Sequence, residues 1–165
     1  MGRSLRFGLG IAILVLAVAA PATVVTAAVD WDEVLIGTSG PDRLRGESGR
    51  DRIVGRGAGD NLAGLKGRDL VRGDAGDDNV KGGRNDDRVI GGKGDDRVHG
   101  GPGDDTVKGG PGEDILLGGP GNDVVRAALD GSSDEVDCGT GTDDRAFVDA
   151  KDVVTGCETV TVEGP

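Results

Sequence analysis

An aliphatic residue recurs at every ninth position over more than half of the chain. These residues are Leu44, Ile53, Leu62, Val71, Val80, Val89, Val98, Val107, Leu116 and Val125. Most of their immediate neighbours are polar or charged, so each aliphatic residue and its two neighbours predict a short β-strand with its middle side chain turned inward. Because the spacing never slips, the pattern predicts one small unit stacked ten times, as in a solenoid.

Each nine-residue unit begins with glycine and carries aspartate at its sixth position. The units run from Gly37 to Arg126, and their sixth residues are Asp42, Asp51, Asp60, Asp69, Asp78, Asp87, Asp96, Asp105, Asp114 and Asp123. Position four is glycine except at Ala58 and Asn85. Glycine permits positive φ and close backbone approach, so positions one to six predict a turn. The recurring aliphatic residue argues against a disordered Gly- and Asp-rich tract, because such a tract buries nothing.

Stacking of the units would bring the aspartate carboxylates close together. If two units complete one coil, residues 18 apart lie on top of each other and ten units give five coils, about 24 Å long at a strand spacing of about 4.8 Å. Carboxylates so close oppose folding by roughly 1 kcal/mol or more per pair at intermediate dielectric. A bound cation would remove that repulsion. Carboxylate and carbonyl oxygens suit a hard ion, and calcium tolerates irregular oxygen cages better than magnesium does.

Units such as Gly91–His99 match the pattern G-G-x-G-x-D-x-U-x, in which U is aliphatic. Over 90 residues the chain resembles the RTX (repeats-in-toxin), or haemolysin-type, family of calcium-binding nonapeptide repeats. The resemblance implies an all-β fold, a right-handed parallel β-roll, with several calcium ions between stacked turns. The implied ligands are the sixth-position carboxylates and turn carbonyls of neighbouring coils, among them those of Gly91, Gly100, Gly109 and Gly118.

The units are not identical at position five. From Gly73 onward this position is acidic or amide, which adds four candidate ligands: Asp77, Asp86, Asp95 and Asp104. In two of the first four units Arg50 and Arg68 stand beside an aspartate, where a cation weakens ion binding or replaces it by an ion pair. The sequence therefore predicts a graded array of sites, strongest from Asp78 to Asp123.

Residues 1–28 have the layout of a secretory signal peptide. Arg3 and Arg6 form a basic start, an apolar run broken only by glycine spans residues 7–20, and small residues suit cleavage after Ala27 or Ala28. A membrane anchor is the alternative, but the run is short for a bilayer span. The sequence predicts removal of this segment and export of the remaining chain.

Both ends of the repeats are expected to be capped, because a roll exposes strand edges there. Residues 29–36 form the predicted N-terminal cap, with Glu33 at position six and Leu35 at position eight of an incomplete unit. Trp31 is interpreted as a cover for the first coil, in preference to a ligand-binding role. Residues 127–165 form the predicted C-terminal cap, a β-rich segment that continues the roll irregularly.

Cysteine usage agrees with export. Cys138 and Cys157 are the only cysteines, and in an exported chain they predict a disulfide worth roughly 3 kcal/mol. A metal site built on two cysteines would need His or further Cys nearby, and the only histidine is distant. The surrounding residues, 137–143 and 156–158, resemble the disulfide-closed ends of secreted actinobacterial repeat proteins.

The net charge and the absence of two common hydrolase motifs disfavour several classes of function. Loss of Arg3 and Arg6 takes the formal charge from −11 to −13, which disfavours nucleic acid as a partner. No H-E-x-x-H or G-x-S-x-G motif occurs, and His99 has no evident nucleophile, so an enzyme, such as a hydrolase, is disfavoured. We therefore expect a secreted, extracellular, monomeric calcium-binding protein, away from membranes once the signal is removed. An adhesin or matrix protein, with an extracellular protein partner, stays open.

Overall fold

The structure, a computed structural model, describes residues 23–24, 31–127 and 130–164. It contains sixteen β-strands in these ranges. They are β1 (Thr23–Val24), β2 (Glu33–Ile36), β3 (Arg43–Arg45), β4 (Asp51–Gly57), β5 (Asn61–Lys66), β6 (Leu70–Ala75), β7 (Asn79–Arg84), β8 (Arg88–Lys93), β9 (Arg97–His99), β10 (Thr106–Lys108), β11 (Ile115–Pro120), β12 (Val124–Arg126), β13 (Glu135–Thr140), β14 (Arg145–Val148), β15 (Val153–Thr155) and β16 (Thr159–Val162).

The chain winds back and forth between two sheets. The first sheet has the order β1-β2-β4-β6-β8-β10-β12-β14-β16, and the second has the order β15-β13-β11-β9-β7-β5-β3. All neighbours are parallel except β1, which pairs antiparallel with β2. Within the repeats the register is 18 residues, as in the pairing of Ile53 with Val71 and of Leu62 with Val80. The predicted parallel β-solenoid with two units per coil is confirmed.

The core is a single column of aliphatic side chains between the sheets. Nine of the ten eighth-position residues, from Ile53 to Val125, have no exposed surface, and Leu44 is 4% exposed. Leu35 extends the column at one end, and Val136, Ala146 and Val148 extend it at the other. One buried residue per unit therefore joins the two sheets, which explains why so few aromatic residues suffice.

The roll is longer than the repeats alone predict. The ten repeats were expected to form five coils, and the solenoid as a whole has about seven turns. Strand β2 stacks on β4 with Glu33 opposite Asp51 and Leu35 opposite Ile53, as expected for an incomplete unit. At the other end β13 to β16 continue both sheets. The two predicted caps therefore continue the stack beyond the ten repeats, because strand pairing and core burial persist after the glycine spacing is lost.

The strands also differ in length from the sequence prediction. Three residues were expected in each, and several strands have six or seven. In β5, for example, Leu65 and Lys66 continue the ladder opposite Gly83 and Arg84 of β7. The prediction was too short because the backbone stays paired through the first three positions of the following unit, which the side-chain pattern does not reveal.

The two ends carry further features. Cys138 and Cys157 form the predicted disulfide, with their Cα atoms 5.1 Å apart. Trp31 is half-buried, and the guanidinium of Arg50 lies over its ring at 4.5 Å from the centroid. Strand β1 falls within the predicted signal peptide, whose other residues lie outside the described part of the chain. No helix in the described ranges has the length and apolar character needed to cross a membrane.

Candidate metal centre

Each sixth-position aspartate lies at the end of a turn, next to the strand that follows. Because consecutive strands belong to different sheets, the aspartates form two rows along the two edges of the roll. The first row contains Asp42, Asp60, Asp78, Asp96 and Asp114, and the second contains Asp51, Asp69, Asp87, Asp105 and Asp123. All ten are buried, with at most 5% exposure. The structure therefore gathers the predicted carboxylates into two rows, as expected.

One carboxylate oxygen of each aspartate from Asp60 to Asp123 is held by the neighbouring coil. The backbone N–H of Asp42 donates to Oδ1 of Asp60 at 2.7 Å, and the N–H of Asp60 donates to Oδ1 of Asp78 at 2.7 Å. The same bond recurs along both rows up to the pair Asp105 and Asp123, at 2.8 Å. This ladder fixes the side-chain direction and places one carboxylate in each coil directly above the next.

The second carboxylate oxygen has no protein partner in most units. In eight of the ten aspartates Oδ2 is buried and accepts no hydrogen bond, namely in Asp60, Asp69, Asp78, Asp87, Asp96, Asp105, Asp114 and Asp123. A buried polar group without a partner costs roughly 1–3 kcal/mol, and more when it is charged. These oxygens therefore form two lines of buried acceptors that a cation would satisfy.

The first two units differ from the others at this atom. Oδ2 of Asp42 accepts the backbone N–H of Thr38 at 2.5 Å, and Oδ2 of Asp51 accepts that of Glu47 at 3.1 Å. In these two units a backbone N–H of the same turn therefore donates a hydrogen bond to Oδ2. This difference falls after the second unit, whereas the predicted gradient falls after the fourth, because Asp60 and Asp69 keep a free Oδ2 and Asp42 keeps a free Oδ1. The graded array stays a prediction. Arg50 lies over Trp31.

The glycine at position one makes room for these oxygens. A methyl group at Gly100 would lie within 3.0 Å of Oδ2 of Asp105 and of the carbonyl oxygen of Gly118. A carboxylate oxygen and a carbonyl oxygen of the next coil therefore converge beside the same glycine. The arrangement recurs from Gly37 to Gly82. Only glycine fits here, because any side chain would fill the space where the oxygens meet.

The predicted glycine carbonyls point toward the preceding coil. Those of Gly100, Gly109 and Gly118 accept the N–H groups of Gly83, Gly92 and Gly101 at 2.9–3.2 Å. The carbonyl oxygen of Gly91 would lie 2.7 Å from a methyl group on Gly73, beside Asp78. All four carbonyls thus lie in the turns that bring the carboxylates together.

The position-five acids occupy a different place. Asp77, Asp86, Asp95 and Asp104 are exposed, and each accepts the N–H of the position-five residue in the following coil at 2.9–3.2 Å. They form an outer ladder that runs in the opposite sense to the buried one. The structure does not bring their side chains into the buried rows. This role was missed because the sequence shows that they are acidic but not which way they point.

Burial changes the protonation of the rows. The pKa of Asp87 is raised to about 8, and the pKa of Asp96, Asp105 and Asp114 is raised to about 7. Desolvation is the largest cause, and the charges of neighbouring carboxylates add to it, whereas the backbone hydrogen bond opposes both. A divalent cation between the coils would favour the ionised forms.

The donor set fits calcium. Carboxylate and carbonyl oxygens in an irregular, buried cage are ligands of a hard cation, and calcium accepts six to eight of them at flexible angles. Among the described residues, no group of three or more His, Cys, Asp or Glu side chains is placed to hold a metal by side chains alone. The predicted sites instead combine carboxylates with turn carbonyls.

Sequence reasoning missed two aspartates of the rows. Asp134 and Asp144 are buried, and their Oδ1 atoms accept the N–H groups of Asp114 at 2.8 Å and Asp123 at 2.6 Å. Each therefore extends one row into the C-terminal segment. The nine-residue spacing could not find them, because 20 and 21 residues separate these pairs instead of 18.

Comparison with known proteins gives one family. The family model described as RTX calcium-binding nonapeptide repeat (4 copies) matches residues 32–62, 54–89 and 90–125. These segments cover more than half of the chain and contain most of both aspartate rows. No curated protein matches the chain.

Proposed function

The chain belongs to the family of RTX calcium-binding nonapeptide repeat proteins, and from this premise we propose that it is a secreted protein whose roll folds as calcium binds between its turns. Several ions bind to each chain, and the folded roll serves as a structural or interaction module outside the cell. The sixth-position aspartates and the turn carbonyls of neighbouring coils are the ligands.

One observation carries this proposal. Eight of the ten repeat aspartates keep a buried oxygen without a hydrogen-bond partner, while their other oxygen is fixed by the adjacent coil. With every side chain ionised, the buried carboxylates of each row would lie close to their neighbours in the adjacent coils with no compensating cation. Such an arrangement is favourable only when a divalent ion takes up the free oxygens, because a buried unpaired charge is costly.

Folding and metal binding are then one event. The core is a single aliphatic residue per unit, so apolar burial alone gives the roll little stability. Extracellular calcium modules work at Kd values of about 10⁻⁴ to 10⁻³ M. At the low calcium of the cytoplasm the chain would stay unfolded and exportable, and outside the cell the ion would drive folding.

The disulfide supports an extracellular location. A bond such as Cys138–Cys157 persists in oxidising compartments and is rare in the cytoplasm. RTX repeat proteins are typically extracellular or secreted. The predicted signal peptide gives the chain a route through the general secretory pathway.

We assign the protein a binding role and not a catalytic one. His99 is half-buried on β9, and its pKa is lowered by burial and by the cations of Lys81 and Arg97. These neighbours favour a neutral imidazole on the outer face of a sheet. The buried aspartates, in turn, are spaced evenly along the edges instead of being gathered in one pocket.

Circular dichroism of the secreted chain tests the proposal. At neutral pH with a chelator, the spectrum is expected to show a largely unfolded chain, and millimolar calcium is expected to produce a β-sheet spectrum. Equal magnesium serves as the control and is expected to have a much weaker effect, because magnesium demands near-ideal octahedral geometry. A β-sheet spectrum that neither chelator nor calcium changes would overturn the proposal.

A further inference from the structure

The second row of aspartates does not end with the last repeat. Asp144 stands immediately before β14, as Asp123 stands immediately before β12, and β14 stacks on β12. Neither side chain is exposed. Asp144 therefore takes the place of a sixth-position aspartate one coil further on, although no nonapeptide unit contains it.

The hydrogen bonds of Asp144 repeat those of the row. Its Oδ1 accepts the N–H of Asp123 at 2.6 Å, and its own N–H donates to Oε2 of Glu158 at 2.8 Å. Its Oδ2 is buried and accepts no hydrogen bond. The carboxylate thus carries the same free, buried oxygen as the aspartates of the repeats. The charge of Asp144 also helps to raise the pKa of Asp123, after the larger effect of burial.

The turn of the preceding coil also brings a carbonyl oxygen close to Asp144. A methyl group at Gly141 would lie within 3.0 Å of both carboxylate oxygens of Asp144 and of the carbonyl oxygen of Gly121 in the preceding coil. Beside the position-one glycines the carbonyl oxygen comes instead from the following coil, as that of Cys138 does beside Gly118 and Oδ2 of Asp123. The turn is also clamped to its neighbour, because Oδ1 of Asn122 accepts the N–H groups of Thr142 and Asp143 at 3.1 and 3.2 Å.

The nearest cationic side chain in sequence is engaged elsewhere. The guanidinium of Arg145 pairs with the carboxylate of Asp143 at 2.9 Å on the exposed surface. Asp143 is therefore paired with a cation at the surface, whereas the adjacent Asp144 is buried and keeps one oxygen without a hydrogen-bond partner.

We propose that Asp144 forms a calcium site outside the repeats, between turn 138–144 and turn 118–123. Asp123 and Asp144 supply carboxylate oxygens, the turns supply carbonyl oxygens, and Glu158 closes the row on the far side. This inference rests on the proposed calcium-dependent function and extends it to a segment that the family match does not reach.

The disulfide joins the two segments that flank the proposed site, so calcium binding there should depend on whether the cysteines are oxidised. Cys138 begins the turn that leads to Asp144, and its partner Cys157 directly precedes Glu158. The bond therefore fixes both walls of the site relative to each other. Reduction is expected to weaken calcium binding at Asp144 and to leave the sites between the central repeats unchanged.

A pair of neighbouring substitutions tests the site. Calcium bound per chain is measured by equilibrium dialysis in the secreted chain, in Asp144→Asn and in the matched control Asp143→Asn. Asp144→Asn is expected to bind one ion fewer and to keep the β-sheet spectrum in saturating calcium, whereas Asp143→Asn is expected to bind as many ions as the unsubstituted chain.

The outcomes separate the two proposals. If the unsubstituted chain binds no calcium, the proposed function fails. If it binds calcium and Asp144→Asn binds the same number of ions, only the Asp144 site fails. Should Asp144→Asn not fold, Gly141→Ala replaces it, because the added methyl group would occupy the space where the oxygens converge; Gly40→Ala, with its nearest atom 3.8 Å away, is then the control. An unchanged ion count in Gly141→Ala would likewise overturn the site.

Discussion

At the scale of single residues, two kinds of glycine do different work in each unit. Position-four glycines such as Gly94 and Gly103 have positive φ, and so do the position-two glycines of the later units. The position-one glycines do not, and they are required because a Cβ would collide with the sixth-position carboxylate. The repeat therefore uses glycine once for space and elsewhere for backbone conformation.

The space requirement at position one predicts a severe effect of a single methyl group. In Gly100→Ala, the Cβ would lie within 3.0 Å of Oδ2 of Asp105 and of the carbonyl oxygen of Gly118. We expect a loss of roughly 1–3 kcal/mol in the free energy of unfolding, as for an overpacked core, together with weaker calcium binding. Chemical denaturation in calcium measures the first effect, and a calcium titration followed by circular dichroism measures the second.

The control for Gly100→Ala is Gly57→Ala, because the nearest atoms to a methyl group at Gly57 are 3.8 Å away. Its free energy of unfolding is expected to stay within about 0.5 kcal/mol of the unsubstituted chain. Equal losses in the two variants would contradict the assignment of the position-one glycines to an oxygen-lined space.

At the scale of the elements, the turns vary more than the strands. In the third, fourth and fifth units position two is Arg56, Leu65 and Asp74, and each of these residues has a positive φ of 85–91°. Later units place glycine there, where the conformation costs little. Non-glycine residues with positive φ thus occur in the third to sixth units, where Asn85 is the last of them, and none occurs in the last four units.

The strain predicts a stabilising substitution. Arg56→Gly relieves an unfavourable φ of 91°, and because Arg56 is exposed, little packing is lost. Left-handed backbone costs a non-glycine residue roughly 1–2 kcal/mol. Glycine also increases the conformational entropy of the unfolded chain, which offsets part of this gain. We therefore expect the free energy of unfolding to rise by up to about 1 kcal/mol.

Arg52→Gly is the matched control, because it removes the same side chain from the same strand at an exposed residue without positive φ. That variant is expected to lose about 0.5–1 kcal/mol. Chemical denaturation of both variants in saturating calcium measures their free energies of unfolding. If Arg56→Gly loses as much stability as Arg52→Gly, position two is not strained.

The sequence predicted the features that follow from the nine-residue repeat, and it did not predict the features outside the repeat or independent of its spacing. The fixed spacing of residues such as Val89 and Asp87 determines which side chain is buried and which residues stack, so the core and the two rows could be predicted. Asp144 escaped because the segment before β13 adds two residues to the 18-residue spacing and the turn before Asp144 adds one more. The direction of Asp95 escaped because a side chain at a turn can face either way without changing the period.

At the scale of the whole molecule, the roll is a stack in which each coil contacts only its neighbours. Its aliphatic column, its two carboxylate rows and its two sheets all run along one axis. Stability of such a solenoid is the sum of many similar interfaces. A change that acts on every buried carboxylate, such as pH or calcium, should therefore affect the entire roll and not one local site.

The raised pKa values predict how the calcium-free roll responds to pH. The carboxyl groups of Asp87, Asp96, Asp105 and Asp114 have pKa values of about 7 to 8 in the folded chain, against about 3.9 in an unfolded chain. The folded state thus holds protons that the unfolded state releases. Its stability is fully present below about pH 4 and is lost as pH rises toward 8.

Circular dichroism in calcium-free buffer checks this dependence. The β-sheet signal is expected to grow as the pH is lowered from 8 to about 5, and saturating calcium at pH 8 is expected to restore it. Asp143→Asn is the control, because Asp143 is exposed and pairs with Arg145 on the surface; it should leave the pH dependence unchanged. A calcium-free roll that gains stability with rising pH would contradict the buried, protonated rows.

The most direct test of the central claim is a crystal structure of the secreted chain grown in calcium, with the ions located by their anomalous scattering. We predict an ion beside the free Oδ2 of each row aspartate from Asp60 to Asp123, in contact with turn carbonyls of two coils, and weaker density beside Asp51. Carboxylates that face each other, or solvent, with no ion between the coils would contradict the account.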